Sequence, residues 1–354
     1  MSDIVRRMSA AIQEAAGTGR PLCVRGGGTK DFYGGSARGE KLGTSEYRGI
    51  VSYEPTELVI TARAGTRLAE IEAALHEKGQ MLPFEPPHFG QAATLGGCVA
   101  AGLSGPRRPY AGAVRDFVLG VRMLDGKGED LRFGGQVMKN VAGYDVSRLM
   151  AGSLGSLGVL IEISLKVLPI PPMEATLQIA CAEQDGVALM NEWAGTPLPV
   201  TATAWRESDL AVRLSGARPA VEAAIGKIHG TVVDPDEAAR FWAGIREQTL
   251  PFFGGGMPLW RLSVKPTTPP IALPGERLIE WGGALRWLKA GADAATIREA
   301  ARAAGGHATL FRADDKSAGV FHPRPEGMMN LHHRLKRIFD PAGILNPGRM
   351  YADL

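Results

Sequence analysis

Residues 94–105 read TLGGCVAAGLSG, a stretch made almost entirely of small residues. Four of the ten residues 96–105 are glycine. Backbone without Cβ atoms lets another segment or a ligand approach closely, and the hydroxyls of Thr94 and Ser104 add hydrogen-bond donors. Tight packing of a helix against a sheet requires the same composition. The stretch therefore predicts a close backbone approach and leaves open what approaches.

A second glycine segment lies upstream, where residues 25–30 read RGGGTK directly after a predicted strand over residues 22–25. Successive glycine N–H groups can surround an anion without obstruction by Cβ atoms. The segment lacks the Gly-Lys-Ser/Thr ending of the nucleotide-binding P-loop, and Asp31 replaces the last glycine of the pattern G-x-G-x-x-G. A flexible turn is the alternative interpretation.

A third segment comprises residues 139–145, KNVAGYD, and residues 152–158, GSLGSLG, whose glycines recur every third residue up to a predicted strand. For Tyr144 and Asp145, a turn with a buried phenol is the alternative. The first two segments lie about 70 residues apart. This spacing within one domain fits a ligand too long for a single loop, and a dinucleotide is the natural candidate.

The bulk composition excludes several classes of protein. Of the 46 glycines in 354 residues, 27 lie in residues 1–172 and 19 in residues 173–354. The length suggests two or three domains. A net charge of +3 with interspersed signs provides no basic patch for a nucleic acid. The three cysteines lie far apart and form no ligand pattern, so we expect neither a metal site nor an iron–sulfur cluster in this chain.

The N-terminal residues do not resemble an export signal. Arg6 and Arg7 suggest a twin-arginine signal, but Gln13 and Glu14 interrupt the residues that follow, and no apolar region is present. No run approaches the roughly 18 apolar residues of a membrane span. We expect a cytoplasmic protein, with peripheral attachment to the inner membrane through partners left open.

The periodicity of apolar residues predicts an α+β protein. We expect a helix over residues 2–16, and a helix that Thr66 caps and that carries Leu68, Ile71 and Leu75 on one face. Pro169 to Pro172 mark a domain boundary. The second half predicts the order β-α-β-β-α-β over residues 175–233, a ferredoxin-like unit, followed by further helices and strands up to a last helix over residues 326–339.

These residues carry a resemblance to a known family. The first half resembles the FAD-binding domain of the vanillyl-alcohol oxidase superfamily of flavoproteins, and the whole chain resembles the E subunits of bacterial glycolate oxidases. The matching runs are VRGGGTK (24–30), EPTEL and AGTRLAEIEAAL (within 54–75), ATLGGCVAAGLSGPRRPYAGAVRDFVLGVRMLDGKG (93–128), VMKNVAGYDVSRLMAGSLGSLGVL (137–160) and FDPAGILNPGRMY (339–351).

The resemblance implies a fold and a division into domains. Residues 1–172 form an FAD-binding domain of vanillyl-alcohol oxidase (PCMH) type, with subdomains over about residues 1–85 and 86–172. Residues 173–320 form a ferredoxin-like α+β cap domain. Residues 321–354 return to the FAD-binding domain.

The resemblance also implies which residues bind FAD. Residues 25–29 form the pyrophosphate loop, residues 94–104 hold the pyrophosphate and ribityl side, and residues 143–159 line the adenosine or flavin cleft. Asn346 reaches the flavin edge from the C-terminal tail. The complete implied set is Arg25, Gly26, Gly27, Gly28, Thr29, Thr94, Gly96, Gly97, Gly102, Ser104, Gly143, Gly158, Val159 and Asn346.

Covalent attachment of FAD is the less favoured alternative. Relatives that tether FAD use His or Cys near these loops, whereas the pyrophosphate loop contains no His. Cys98 is interpreted as a small buried residue. His88 is the one histidine in the loops of this half near the site. We therefore expect non-covalent FAD, and Gly27→Asp is expected to abolish its retention.

For the catalytic residues, the sequence offers a single candidate. Oxidation of a 2-hydroxy acid needs a cation for the carboxylate and a base for the hydroxyl proton. The metal motif His-x-Gly-Asp-Gly-Asn-x-His of catalytic relatives is absent, and we interpret His307, His332 and His333 as structural. Arg324, between Pro323 and Pro325, is a candidate for the carboxylate clamp, and a surface arginine in a linker is the alternative.

The resemblance implies the FAD-binding subunit of a multi-subunit glycolate oxidase that converts glycolate to glyoxylate. A second FAD subunit with the metal motif and an iron–sulfur subunit are the implied partners, and this chain would assist electron transfer. Two alternatives stay open: a self-sufficient FAD-linked oxidoreductase, and an assembly subunit without catalysis.

Overall fold

The computed structural model describes residues 2–36, 38–135 and 144–354. Its strands are Leu22–Arg25 (β1), Glu40–Gly43 (β2), Ile50–Glu54 (β3), Val59–Arg63 (β4), Gln80–Met81 (β5), Val118–Leu124 (β6), Asp130–Gly134 (β7), Val159–Lys166 (β8), Leu168–Pro169 (β9), Met173–Ala180 (β10), Val200–Arg206 (β11), Asp209–Gly216 (β12), Thr231–Val232 (β13), Leu259–Ser263 (β14), Glu276–Glu280 (β15), Leu285–Lys289 (β16) and His307–Arg312 (β17). Its α-helices are Asp3–Thr18 (α1), Leu68–His76 (α2), Leu95–Ala101 (α3), Arg108–Ala111 (α4), Val114–Phe117 (α5), Val146–Leu149 (α6), Glu183–Ala194 (α7), Arg218–Lys227 (α8), Pro235–Arg246 (α9), Ala294–Ala303 (α10) and Glu326–Phe339 (α11).

The chain divides into two compact units. The first unit consists of Met1–Leu103, Ala113–Pro169 and Pro323–Leu354, and the second consists of Ser104–Gly112 and Ile170–His322. The sequence-based division puts residues 104–112 in the first domain, whereas they lie in the second compact unit. There, α4 is close to β11, and the Nε1 of Trp281 donates to the Gly105 carbonyl at 3.1 Å.

Helix α1 packs its apolar face into the core of the first unit. Val5, Met8, Ile12 and Ala15 follow helical spacing and are all buried. Ser2 caps the start of the helix, because its Oγ accepts from the Val5 N–H at 3.4 Å. The same core receives side chains from other elements of this unit, namely Leu22, Leu42, Tyr47, Leu124, Val159, Ile161, Ile344 and Leu345.

A five-stranded antiparallel sheet forms the centre of the first unit. Its strand order is β3-β4-β8-β6-β7, with β8 in the middle. Six of the eight β8 residues are buried, which fits a strand that is covered on both faces. Strands β1 and β2 form a separate parallel pair, and Leu345 of the C-terminal segment adds a parallel bridge to Leu22.

The predicted cap of α2 is wrong by one residue. Helix α2 begins at Leu68, and its cap position is Arg67, which provides no side-chain hydrogen bond. The Thr66 Oγ1 instead accepts from the Gly49 N–H at 2.9 Å. The Thr66 hydroxyl therefore makes a tertiary hydrogen bond to Gly49 instead of capping the helix.

The second unit contains an eight-stranded sheet in the order β13-β10-β12-β11-β15-β16-β14-β17. The elements β10, α7, β11, β12, α8 and β13 follow the predicted β-α-β-β-α-β order. Strand β15 was not predicted, since its sequence ERLIE carries three charged residues in five. It pairs with both β11 and β16 and so joins the ferredoxin-like strands to the rest of the sheet.

Among the described residues, none of the helices has the length and apolar character needed to cross a bilayer.

Candidate functional site

The two upstream glycine segments come into direct contact in the first unit. A Cβ at Gly26 would overlap the Thr94 Oγ1, and a Cβ at Gly27 would overlap the Ala92 carbonyl oxygen. The loop after β1 therefore lies against the residues that lead into α3. This contact changes the meaning of Gly27→Asp: the substitution disrupts the protein's own packing, so loss of FAD in this variant does not test phosphate binding.

One cleft opens beside the upstream loop, and we call it the glycine-loop cleft. It holds about 610 Å³ of empty space. Strand β1, the loop after it, helix α3 and the C-terminal segment all contribute to its walls. Its lining residues are Cys23, Val24, Arg25, Gly26, Gly27, Gly28, Thr29, Lys30, Asp31, Thr94, Gly97, Ala100, Ala101, Leu154, Asn346 and Arg349.

A second cleft, which we call the basic cleft, holds about 1100 Å³ of empty space. It shares Arg25, Gly26, Gly27 and Thr94 with the glycine-loop cleft. Four basic residues and one acidic residue contribute to its walls, so its charge is positive. Its remaining lining residues are Lys41, Ser45, Glu46, Arg48, Gly65, Arg67 and Ala92. A ligand at the shared residues thus has space on two sides.

The upstream loop presents backbone donors that the protein does not use. Within the described residues, the N–H groups of Gly26, Gly27, Gly28 and Thr29 have no protein acceptor. These residues are half-buried and line the glycine-loop cleft. Half-buried N–H groups without an acceptor are costly unless a ligand or water accepts from them, and a diphosphate provides several acceptor oxygens. The loop therefore fits an anionic ligand.

The first N–H groups of α3, in contrast, are all occupied. The Leu95 N–H donates to the Thr66 carbonyl at 2.9 Å, and the Gly96 N–H donates to the Ala64 carbonyl at 2.8 Å. The Gly97 N–H donates to the Thr94 Oγ1 at 3.3 Å. What this segment still offers a ligand is the hydroxyl proton of Thr94, which lines both clefts.

The upstream loop is held in place by its side chains. The Arg25 Nη2 lies 2.5 Å from the Asp31 Oδ2, while the buried Arg25 Nε has no partner among the described residues. The Thr29 Oγ1 donates to the His88 carbonyl at 2.7 Å. The loop is therefore ordered, whereas the sequence left open whether it is a flexible turn.

Asn346 lines the glycine-loop cleft and joins three segments. Its Oδ1 accepts from the Val24 N–H at 2.7 Å, and its Nδ2 donates to the Leu154 carbonyl at 2.6 Å. Its φ of +45° is a left-handed conformation that Asn tolerates better than most residues. These bonds use one Oδ1 lone pair and one Nδ2 proton, so the side chain positions the wall of the cleft and keeps a second N–H for a ligand.

The other implied residues lie outside the lining of both clefts. Gly96 is buried against Ala64. Val159 is fully buried in the α1 core, and a Cβ at Gly158 would overlap Met123. Gly102 ends α3, Ser104 lies in the second unit, and Gly143 falls outside the described residues. Their roles in FAD binding stay predictions.

Several lining residues were missed by sequence reasoning, chiefly Lys30, Asp31, Leu154 and Arg349. Arg349 has the clearest signal, because it lies three residues after Asn346 in the run NPGR. Arg324 contributes to neither cleft: its Nε donates to the Tyr351 Oη at 3.3 Å. Its role as a carboxylate clamp also stays a prediction.

Cys98 has the environment of a structural cysteine. It is 1% exposed, and burial raises the pKa of its thiol to about 12. Cys23 is half-buried and lines the glycine-loop cleft. A thiolate is the reactive form, so the Cys98 environment opposes covalent attachment of a flavin at this position.

Comparisons with known proteins identify the family. Residues 5–134 match the model of an FAD binding domain, and residues 315–350 match the model of the C-terminal domain of FAD linked oxidases. Glycolate oxidase subunit GlcE of Escherichia coli K12 is 50% identical over 352 residues, which cover 99% of both chains. The chain belongs to the GlcE family. The predicted FAD cofactor and the predicted family are confirmed.

More distant relatives match part of the chain. Glycolate oxidase subunit GlcD of Bacillus subtilis is 32% identical over 160 residues, which cover 44% of this chain and 34% of GlcD. A D-lactate dehydrogenase of Anaerostipes hadrus is 30% identical over 141 residues, covering 40% of this chain and 29% of the dehydrogenase. Together with the two matched family models, these relatives identify the chain as an FAD-dependent oxidoreductase of the group that acts on 2-hydroxy acids.

The fold is confirmed by a solved structure. Alkyldihydroxyacetonephosphate synthase, crystallised in P212121, matches with a TM-score of 0.66 at 16% identity, covering 97% of this chain and 75% of the synthase. Identity this low shows the fold alone. The predicted α+β FAD-binding architecture is therefore correct.

Proposed function

We propose that the chain is the FAD-binding subunit of a multi-subunit glycolate oxidase. Its similarity to a glycolate oxidase subunit extends over the full length of both chains. The structural observation that carries the proposal is the row of four unused N–H groups at Gly26–Thr29, in a cleft that adjoins a second, basic cleft.

The residues of the upstream loop fit the diphosphate of FAD. The four N–H groups donate to its oxygens, the Arg25 guanidinium supplies positive charge, and the Thr94 hydroxyl adds a donor. Gly97 lines the cleft without offering a donor, because its N–H is bonded to the Thr94 hydroxyl. Asn346 positions the wall and has a second Nδ2 proton that a ligand can accept. FAD is held without a covalent bond.

The reaction is the oxidation of glycolate to glyoxylate. FAD would supply the two-electron oxidation, in which the carbon that bears the hydroxyl group loses a hydride and the hydroxyl group loses its proton to a base. Among the described residues that line the two clefts, the carboxylates are Asp31, which pairs with Arg25, and Glu46, which pairs with Arg7. Neither is an unpaired base, so we assign substrate chemistry to a GlcD-type partner and electron transfer to this subunit.

The partners follow from this division. The chain carries no cysteine pattern for an iron–sulfur cluster, so any iron–sulfur relay of the electrons belongs to a partner, for which we propose a third, iron–sulfur subunit. We propose that the complex lies in the cytoplasm and contacts the inner membrane through its partners.

The test is anaerobic reduction by substrate. The purified chain is examined by visible absorption and then mixed with glycolate, first alone and then with the GlcD-type subunit of the same organism. The proposal expects a yellow protein whose flavin band bleaches only after the partner is added.

The other outcomes contradict the proposal in distinct ways. Bleaching of the lone chain identifies a self-sufficient oxidoreductase. A colourless chain that takes up no added FAD yet joins the complex identifies an assembly subunit.

A further inference from the structure

The C-terminal segment, residues 340–349, forms one wall of the glycine-loop cleft. The Leu22 N–H donates to the Ile344 carbonyl at 2.7 Å, and the Asn346 N–H donates to the Leu22 carbonyl at 2.9 Å. The segment therefore extends β1 on the side opposite β2. Residues more than 300 positions apart in sequence thus form adjacent parts of the same cleft.

Arg349 fixes the residues that follow the upstream loop. Its Nη1 donates to the Gly35 carbonyl at 2.7 Å and to the Asp31 carbonyl at 3.1 Å, and its Nη2 donates to the Lys30 carbonyl at 3.1 Å. The residue is 9% exposed and lines the glycine-loop cleft. A planar guanidinium can bridge three carbonyls in this way, whereas a single ammonium group cannot match its geometry.

A chain of contacts leads from Arg349 to the donors of the loop. Arg349 holds the Asp31 backbone, and the Asp31 carboxylate pairs with Arg25 at 2.5 Å. The Arg25 guanidinium packs so closely on Gly28 that a Cβ there would overlap it. Gly28 has a φ of +75°, a conformation that glycine adopts readily. Through these contacts, Arg349 helps to fix the orientation of the N–H groups of residues 26–29.

The charge of Arg349 is only partly compensated inside the protein. Its three bonds go to neutral carbonyls. Burial lowers the pKa of Arg349, while the nearby Asp31 raises it. Of the five guanidinium N–H groups, two have no acceptor among the described residues. A dianionic diphosphate in the same cleft would supply the missing negative charge.

We propose that Arg349 is a positioning residue for FAD, which sets the geometry of residues 26–29 through Asp31 and Arg25 and adds positive charge to the cleft. The inference rests on the proposed diphosphate site. The affinity for FAD then depends on the C-terminal segment as well as on the glycine segments.

The test measures ligand affinity of the apoprotein by fluorescence and calorimetric titration. FAD, ADP and riboflavin are the probes, because ADP carries the diphosphate without the flavin and riboflavin carries the flavin without phosphate. Arg349→Met is expected to weaken FAD and ADP binding about tenfold or more, the usual effect of losing bonds from a charged group. Riboflavin affinity is expected to be unchanged.

Arg349→Lys separates positioning from charge. It keeps the charge but loses the planar fork, so its FAD affinity should lie between those of the wild type and Arg349→Met. Recovery of wild-type affinity by Lys would contradict a positioning role. Arg298→Met is the matched control: Arg298 also donates to two carbonyls, those of Ala318 and Gly319, both at 2.7 Å, but lies in the second unit. This control should bind FAD like the wild type.

A second variant tests the contact chain independently of folding. Asp31→Asn retains the carbonyl that Arg349 holds but removes the carboxylate that pairs with Arg25. It should weaken FAD and ADP binding, and combining it with Arg349→Met should add little, because both interrupt one path. Wild-type affinity in Asp31→Asn, or full additivity in the double variant, overturns the inference.

The two proposals fail differently. If the wild-type apoprotein binds neither FAD nor ADP, the proposed diphosphate site fails. If the wild type binds both and a folded Arg349→Met, checked by circular dichroism, binds them equally well, the site stands and the role of Arg349 is refuted.

Discussion

Thr94 contributes to a helix and to a cleft with the same hydroxyl group. Its Oγ1 accepts from the Gly97 N–H and so caps α3, while its proton is available to a ligand. The side chain is 3% exposed. A hydroxyl with these two functions cannot be replaced by a methyl group of the same shape.

Thr94→Val is therefore expected to raise the dissociation constant of FAD about tenfold or more, through the lost donor. The lost cap also lowers the free energy of unfolding by about 1 kcal/mol. Titration of the apoprotein and urea unfolding measure the two effects. Thr94→Ser, which keeps the hydroxyl, is the control and should bind FAD normally; equal affinity of the Val variant would exclude Thr94 as a donor.

Cys98 is expected to resist thiol reagents in the folded protein. A pKa raised to about 12 leaves about one thiolate in ten thousand at pH 8. Labelling followed by peptide mass spectrometry should modify Cys23 first and Cys98 only on unfolding. The labelling rate of Cys98 should still be rising between pH 8 and pH 10, since the thiol titrates above this range. Rapid modification of native Cys98 at pH 8 contradicts the burial described.

At the scale of elements, the end of α3 depends on a glycine that meets another backbone. Gly102 has a φ of +68°, and a Cβ there would lie 2.7 Å from the Gly152 Cα. Gly79, after α2, has a similar φ of +65° but no neighbour within 4 Å of a Cβ. Comparing the two glycines therefore distinguishes the cost of a left-handed conformation from the cost of steric overlap.

Gly79→Ala is expected to cost about 1 kcal/mol of unfolding free energy, the usual cost of a left-handed conformation with a Cβ. Gly102→Ala should cost clearly more, because α3 must also move away from Gly152. Urea unfolding of both variants measures the difference. Equal costs would mean that the close approach of Gly102 to Gly152 does not constrain the fold.

Helix α11 is joined to the C-terminal segment by a buried ion pair. The Lys336 Nζ lies 2.8 Å from the Asp340 Oδ2 and donates to the carbonyls of Ser156 and Leu345 at 2.9 and 2.6 Å. Asp340 is 1% exposed and accepts from the N–H groups of Ile344 and Leu345. These bonds hold the segment that carries Asn346 and Arg349.

Lys336→Met is expected to lower the free energy of unfolding by about 3–5 kcal/mol, because it leaves the Asp340 carboxylate buried without its cation. Thermal and urea unfolding measure the loss. Arg337→Met, one residue away and exposed, is the control and should change stability by less than about 0.5 kcal/mol. A small effect of Lys336→Met would show that water reaches Asp340.

At the scale of the whole molecule, FAD is expected to stabilise the folded chain. At a free FAD concentration of about 100 times the dissociation constant, the gain is about 2.7 kcal/mol. Unfolding scans of the apoprotein with increasing FAD should show a rising midpoint. The midpoint of Arg349→Met should rise less at the same FAD concentration, and an equal rise would contradict the coupling of Arg349 to the site.

The parts of the fold that depend on local pattern were predicted well. The helix predicted over residues 2–16 corresponds to α1, and the last helix predicted over residues 326–339 corresponds to α11. Predictions failed where a tertiary contact competes with a local one. Thr66 bonds Gly49 instead of capping α2, and the charged strand β15 forms because β11 and β16 lie on either side of it. In the candidate site, too, the N–H groups of Gly96 and Gly97 bond to other protein groups instead of remaining available to a ligand.

The sequence by itself determined most of the elements, because apolar periodicity and turn residues act over a few residues at a time, and its resemblance to glycolate oxidase E subunits implied the family and the cofactor. The tertiary structure decided which donors remain for a ligand. It uses the first N–H groups of α3, leaves those of residues 26–29 unused, and brings Asn346 and Arg349 into the same cleft. Hydrogen-bond partners some 320 residues apart are fixed only when the chain has folded, so no local pattern contains them.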